Sequence, residues 1–169
     1  MVEQTDIEKR VGILEDVEAI KRLKHRYLHC LDGKRWGDLE QCLAADVRAS
    51  FMGGAMKYDG RDELMEFYRT SLPPSRITAH MGHHPQIDVT GDGIAKGTWE
   101  VKTYLIETEI NLSLGGMSVF NEEYVKQDGE WRIKSMYCYR VYEEMWNRND
   151  IASLKLSQLY KFDKPGEAE

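Results

Sequence analysis

The sequence predicts a single α+β domain in which helices come first and a long, strongly curved antiparallel sheet follows. Three observations carry this. Apolar residues recur at steps of three and four through the N-terminal third, the chain beyond residue 77 is rich in Val, Ile, Thr, Tyr and Trp, and tight-turn dipeptides separate the strand-like runs. The 169 residues match the usual size of one domain and suffice to bury a core. No internal repeat, biased segment or linker composition divides the chain, so its elements are expected to pack as one unit, helices against one sheet face.

The first dozen residues are polar and are expected to fray. The domain proper is expected over 13–148. Ile13, Val17, Ile20, Leu23, Tyr27 and Leu31 then form an apolar stripe opposite Glu18, Lys21, Arg22 and Arg26, with Gly33 placed to end the helix in a left-handed cap. A second, short helix over Trp36 to Leu43 would complete a hairpin. The run from Val47 to Met52 reads as a strand that stops at Gly53-Gly54. A third helix follows Tyr58-Asp59-Gly60, covers Glu63 to Ser71 and ends before Pro73-Pro74. Four strands come next, over Ile77 to Val89, Ile94 to Glu107, Met117 to Gln127 and Trp131 to Tyr142, with turns at Gly91-Asp92-Gly93 and Asp128-Gly129. Residues 149–169 form an extension in which Ile151 to Phe162 is expected to be a closing helix before a loose acidic tail. A sheet curling around its helices leaves a conical cavity, a natural small-molecule site.

Charge and cysteine content narrow the partners. The formal net charge is -6 and the isoelectric point about 5.5, so no basic field is available to hold a phosphate backbone or an anionic membrane. Nucleic acid and membrane are therefore not expected as partners. Cys30, Cys42 and Cys138 are widely spaced without a CxxC pair, and read as buried free thiols in a reducing compartment. The start MVEQTDIEKR has no apolar signal core, and no stretch approaches the roughly 20 apolar residues of a membrane span. The expectation is a soluble, cytoplasmic protein.

The run Thr78-Ala79-His80-Met81-Gly82-His83-His84-Pro85 places three of five histidines within five positions. Strand alternation sends His80 and His84 to one face and His83 to the other. If that face is the inner one, His80 puts an imidazole inside an apolar cavity, where this side-chain type is suited to general acid or base work; a core histidine satisfied by a carbonyl is the plainer alternative. Metal binding is not expected, since no cysteine lies nearby and no HExxH helix is present. Tyr27 lies on the apolar stripe and Asp32 closes the same helix, so both can face the cavity rim. A buried carboxylate needs a partner, and a histidine whose tautomer it fixes would serve; a turn-capping Asp and a locally bonded core Tyr are the alternatives. Arg140, in the apolar strand Tyr137 to Tyr142, needs an acceptor unless it emerges at the strand's end. Gly115-Gly116 matches no phosphate loop and reads as a turn or bulge. The eight methionines suggest an adaptable apolar lining or plain core filling.

Three segments, Asp16 to Tyr27, Cys30 to Trp36 and His80 to Pro85, resemble the SnoaL-like branch of the nuclear-transport-factor-2 superfamily, and within it the bile acid 7α-dehydratase group. Asp128-Gly129-Glu130-Trp131 and Tyr139 to Glu144 extend the likeness to roughly residues 13 to 148. Scytalone dehydratase, hexachlorocyclohexane dehydrochlorinase and ketosteroid isomerase are more distant likenesses. The resemblance implies a cystatin-like cone and a cofactor-free lyase without metal. It also implies a homo-oligomer, with a trimer favoured, acting on an apolar, steroid-like substrate.

Carried over by position, His80 would be the general acid/base, Asp32 its orienting carboxylate, Tyr27 a hydroxyl donor to substrate and Arg140 a polar support. Phe51, His84, Thr103, Met136 and Cys138 are expected to contact substrate. Two positions depart from the group: Thr103 stands where a catalytic carboxylate is usual, and Phe51 where a tyrosine is. The segment after Ile106 is shorter. These departures favour a steroid or related ring ketone over a named bile acid. The implied reaction is β-elimination of water; isomerisation, polyketide cyclisation and ligand binding without catalysis are the alternatives.

Overall fold

The computed structural model describes residues 5–158. Helix α1 spans Asp6–Asp32 and starts earlier than its apolar stripe suggests. The Thr5 hydroxyl accepts from the Glu8 N–H while the Glu8 carboxylate accepts from the Thr5 N–H, a capping box that satisfies two otherwise free donors. Residues 6–12, expected to fray, are therefore helical. Gly33 is not a left-handed cap: its φ is -78°, and the left-handed residue is Lys34 at φ 53°. Helix α2, Trp36–Gln41, is shorter than expected because Leu43 already belongs to strand β1, Leu43–Phe51. The chain reverses over Met52–Gly54, where Gly53 and Gly54 both take positive φ, into a strand the sequence did not announce, β2, Met56–Asp59. Helix α3 covers Arg61–Ser71 and buries Leu64, Met65 and Tyr68.

Four long strands follow: β3 Arg76–Gly91, β4 Ile94–Glu107, β5 Leu112–Gln127 and β6 Glu130–Asn147. The turn between β5 and β6 is Asp128-Gly129, with φ of 51° and 82°, the left-handed pair that lets a two-residue loop match strand twist. Gly115 and Gly116, read as a turn or bulge, lie inside β5. The six strands order as β2-β1-β6-β5-β4-β3, and all neighbours are antiparallel except β1 and β6, which run parallel. The expected closing helix is absent over residues 151–158; its remainder and the acidic tail lie outside the described residues.

The sheet bends around α1 and α3, which fill its concave side. Ile20, Leu23, Leu28 and Leu31 of α1 pack with Val47, Leu64, Met65, Tyr124, Trp131 and Ile133 to form the core. A polar chain crosses it. Trp99 Nε1 donates to the Tyr124 hydroxyl at 2.8 Å, Tyr124 donates to Glu122 at 2.5 Å, and the Lys24 ammonium is ion-paired to the same carboxylate. Lys24 is fully buried and Glu122 nearly so, and Lys24 Nζ lies 4.3 Å from the ring centre of Phe120. All three cysteines are free and buried, and burial pushes the Cys42 thiol up to about 11. Among the described residues no helix is long and apolar enough to cross a membrane.

Candidate active site

Between α1, α3 and the concave face of β3 to β6 lies a cavity of about 310 Å³, at the small end of the range for ligand pockets. Its wall is mostly apolar. Leu31 comes from α1, Phe51 from β1, Phe67 from α3, Leu105 from β4 and Phe120 from β5.

Asp32 is the last residue of α1, which ends against the start of β3. Its carboxylate accepts three hydrogen bonds. The Thr78 hydroxyl and the His80 imidazole Nδ1 reach Oδ1 at 2.8 and 2.6 Å, and the His80 backbone N–H reaches Oδ2 at 2.8 Å. Alternation along β3 puts Thr78 and His80 on one face, so a single carboxylate can bridge them. Because the carboxylate only accepts, the proton between it and the ring sits on Nδ1, and Nε2 is the nitrogen left for a ligand. The His80 and Asp32 side chains are 15% and 19% exposed.

Tyr27 lies in the apolar stripe of α1, and its hydroxyl is 2.7 Å from that of Tyr68 on α3. Both rings are buried and both line the cavity. Burial pushes the Tyr27 phenol well above its ordinary range, helped by Tyr68 and by the charge of Glu122, and burial raises Tyr68 as well. Both therefore remain protonated donors throughout the neutral range.

The structure brings together Tyr27, Asp32, His80 and Arg140, with Phe51, Thr103 and Cys138 in the cavity wall. Thr103 stands directly opposite His80 in the β3–β4 register. Burial raises the Cys138 pKa and leaves a neutral thiol as lining.

Two expected contacts fail. His84 was placed beside His80 by alternation, but the register breaks between His83 and Gln86, and His84 has φ 48°. Its ring swings outward, 76% exposed, and meets Glu100 at 2.9 Å. Met136 shares the inner face of β6 with Cys138 but lies one repeat deeper, buried in the core rather than in the cavity wall.

Among the wall residues not anticipated from the sequence, Tyr68 and Glu143 bear most on the chemistry. Tyr68 follows Leu64 by four positions on the buried face of α3, a signal that periodicity offered. Glu143 is ion-paired with Arg140. Regular alternation would put these two, three residues apart, on opposite faces. The register shifts between Met117 and Ser118, so Ser118 pairs with Arg140 while Met117 pairs with Tyr142. Val141 is thus the extra residue of a β-bulge that turns both charges inward.

A strongly curved six-stranded sheet wrapped around N-terminal helices is the NTF2-like cone. The chain belongs to the SnoaL-like domain family, whose sequence model matches residues 12–137. A candidate scytalone dehydratase from Novosphingobium aromaticivorans superposes with a TM-score of 0.73 at 21% identity, covering 78% of this chain and 87% of the other. A hexachlorocyclohexane dehydrochlorinase of LinA type 3 from Novosphingobium barchaimii gives 0.70 at 20% identity, covering 79% and 91%. Another LinA structure gives 0.74 at 20%, covering 86% and 96%. These likenesses establish the shared fold.

Proposed function

We propose that this protein is a cofactor-independent dehydratase that removes water from a hydroxylated ring ketone, with a hydroxysteroid of the 7α-hydroxy-3-oxo-4-ene type as the reference substrate. The observation that carries the reading is the 2.6 Å bond from Asp32 to His80 Nδ1, which presents Nε2 as a base in a largely apolar cavity. His80 takes the proton from the carbon next to the one bearing the hydroxyl. Asp32 holds the imidazolium that results. Tyr27, accepting from Tyr68, donates to the carbonyl oxygen as negative charge develops there, the interaction that usually supplies the largest share of catalysis. His80 returns its proton to the departing hydroxyl, so atoms and charge balance without a metal. Arg140 supports the polar end of the cavity, and Phe51, Thr103 and Cys138 contact the substrate.

The named activities of the structural neighbours, dehydratase and dehydrochlorinase, are both eliminations and support a lyase. We place the protein in the cytoplasm as a homotrimer. Exposed Tyr137, Tyr139 and Val141 on the outer face of β6 give an assembly an apolar surface to bury. Isomerisation would use the same base and hydroxyl donor without losing a hydroxyl. Incubation with a panel of hydroxysteroids, read by mass and by ultraviolet absorbance, separates the two. Loss of one water with a new conjugated diene supports the dehydratase. An unchanged mass with a shifted double bond supports the isomerase, and no change with any member contradicts both.

A further inference from the structure

The two arginines in the cavity wall are each held by a carboxylate. Arg76 Nε lies 3.0 Å from Glu107 Oε2, with its Nη1 on the Ser71 carbonyl, and Arg140 is paired with Glu143. No lysine among the described residues is in the wall, and Lys24 in the neighbouring core is paired to Glu122. The remaining charged partner, Asp32, is held by His80 and Thr78. Among the described residues, a ligand entering this space meets hydrogen-bonding groups but no cation free to neutralise an anion. Desolvating a carboxylate against already paired charges is costly, whereas a hydroxyl or carbonyl loses little.

The two polar ends of the cavity are joined by one row of the sheet. His80 pairs with Thr103, Thr103 with Gly116 and Gly116 with Glu143. Three strand spacings of about 4.8 Å put the row's ends roughly 14 Å apart along the sheet, and closer across its concave face. A side chain at Gly116 would clash with the Tyr142 carbonyl oxygen at 2.8 Å, while meeting Glu143 Cα and Arg140 Cδ only at ordinary contact distances of 3.6 and 3.7 Å. Glycine there lets the backbone of the bulged strand, at Tyr142, approach the middle of the row closely.

We propose that Arg140 and Glu143 act as one neutral hydrogen-bonding unit that recognises an uncharged oxygen function at the end of the substrate remote from His80. The pocket therefore accepts a neutral polycyclic ketone and rejects the same skeleton ending in a carboxylate. Glu143 accepts from a ligand hydroxyl, and Arg140 donates to a hydroxyl or carbonyl. The skeleton rests on the ring-ketone reading above; the preference for neutral over anionic ligands does not.

Dissociation constants for 17β-hydroxyandrost-4-en-3-one and for 3-oxoandrost-4-ene-17β-carboxylate test it, in the wild-type protein and in the Glu143→Gln, Arg140→Gln and His80→Ala variants. The wild type is expected to bind the hydroxyl ligand about tenfold or more tightly over the carboxylate. Glu143→Gln, which frees the guanidinium, narrows or reverses that ratio, and Arg140→Gln widens it. His80→Ala frees the Asp32 carboxylate and supplies no cation, so it retains the preference for the hydroxyl ligand whether or not the protein is a lyase. Equal binding of the two ligands by the wild type overturns the proposal. So does an unchanged ratio in a folded Glu143→Gln protein. If neither steroid binds, the polycyclic reading fails, and the pair 2-naphthol and 2-naphthoate decides the charge preference by the same criteria.

Discussion

At the scale of single residues, the chemistry depends on which nitrogen of His80 is free. Three donors converge on Asp32, and the shortest of these bonds fixes the ring's proton on Nδ1. Asp32→Asn removes the charge that stabilises the imidazolium and offers an amide that can hold the ring in the wrong tautomer. Turnover is expected to fall by about 10² to 10⁴. Binding of a ring ketone should change little, a split between kcat and KM that separates orientation from occupancy. Tyr27→Phe should lower kcat by about 10² with an unaltered fold, since the ring stays and only the donor leaves. A Tyr27→Phe protein with wild-type kcat would remove that tyrosine from the mechanism. The pair Asp32 and His80 was legible in the sequence because one closes a helix and the other lies in an apolar strand. His84 was not, because alternation assumes an unbroken strand and the left-handed backbone at that residue interrupts it.

At the scale of elements, two irregularities stand out, one in the cavity wall and one in the core. The bulge at Val141 turns Arg140 and Glu143 to one face, and composition carries no mark of an extra residue in a strand. Its neighbour Gly116 has no room for a β-carbon beside the Tyr142 carbonyl. Gly116→Ala should cost about 1 to 3 kcal/mol in a denaturant melt, the usual cost of overpacking, and loosen substrate binding. The second irregularity is the charge pair joining α1 to β5. Lys24 sits among apolar residues on the buried side of its helix, where it faces Glu122. Lys24→Met leaves that carboxylate buried beside Tyr124 without its ion pair, and should destabilise the protein by about 3 to 5 kcal/mol. Adding Glu122→Gln should recover part of the loss; a double variant as unstable as the sum of the singles would show that the pair is not coupled. Helix spacing, hairpin turns and strand texture gave the elements their places. β2 escaped because four residues carry too short an alternation, and α1's early start because its first turns are held by a capping box rather than by apolar contacts.

At the scale of the whole molecule, ion pairs tie distant parts of the chain. Asp16 of α1 accepts from Lys126 and from Trp131 Nε1, both at 2.8 Å, across the β5–β6 turn. Burial alone would raise its pKa, but these two bonds and the charge of Lys126 together outweigh it and the net shift is downward. Glu107 behaves alike: burial raises, while Ser75, the Glu109 N–H and Arg76 together lower it. A carboxyl with a depressed folded pKa contributes stability that is full above its unfolded value, near pH 4, and is lost as pH falls through the folded value. Thermal stability should therefore hold from neutrality down to about pH 4 and drop below it. Asp16→Asn should flatten that drop, and an unaltered acid profile in the variant would show that this link contributes nothing.

The cone and its family were readable from the order of helices and strands together with the residues around Tyr27, Asp32 and His80. The parallel pairing of β1 with β6 was not, because it joins segments some 90 residues apart that no local pattern connects.

The proposed mechanism is tested most directly by the rate at which a 7α-hydroxy-3-oxo-4-ene steroid gains diene absorbance with wild-type protein and with Asp32→Asn at equal, verified folding. Steady diene formation by the wild type and a loss of at least about a hundredfold in the variant are expected. Equal rates in the two proteins would contradict it.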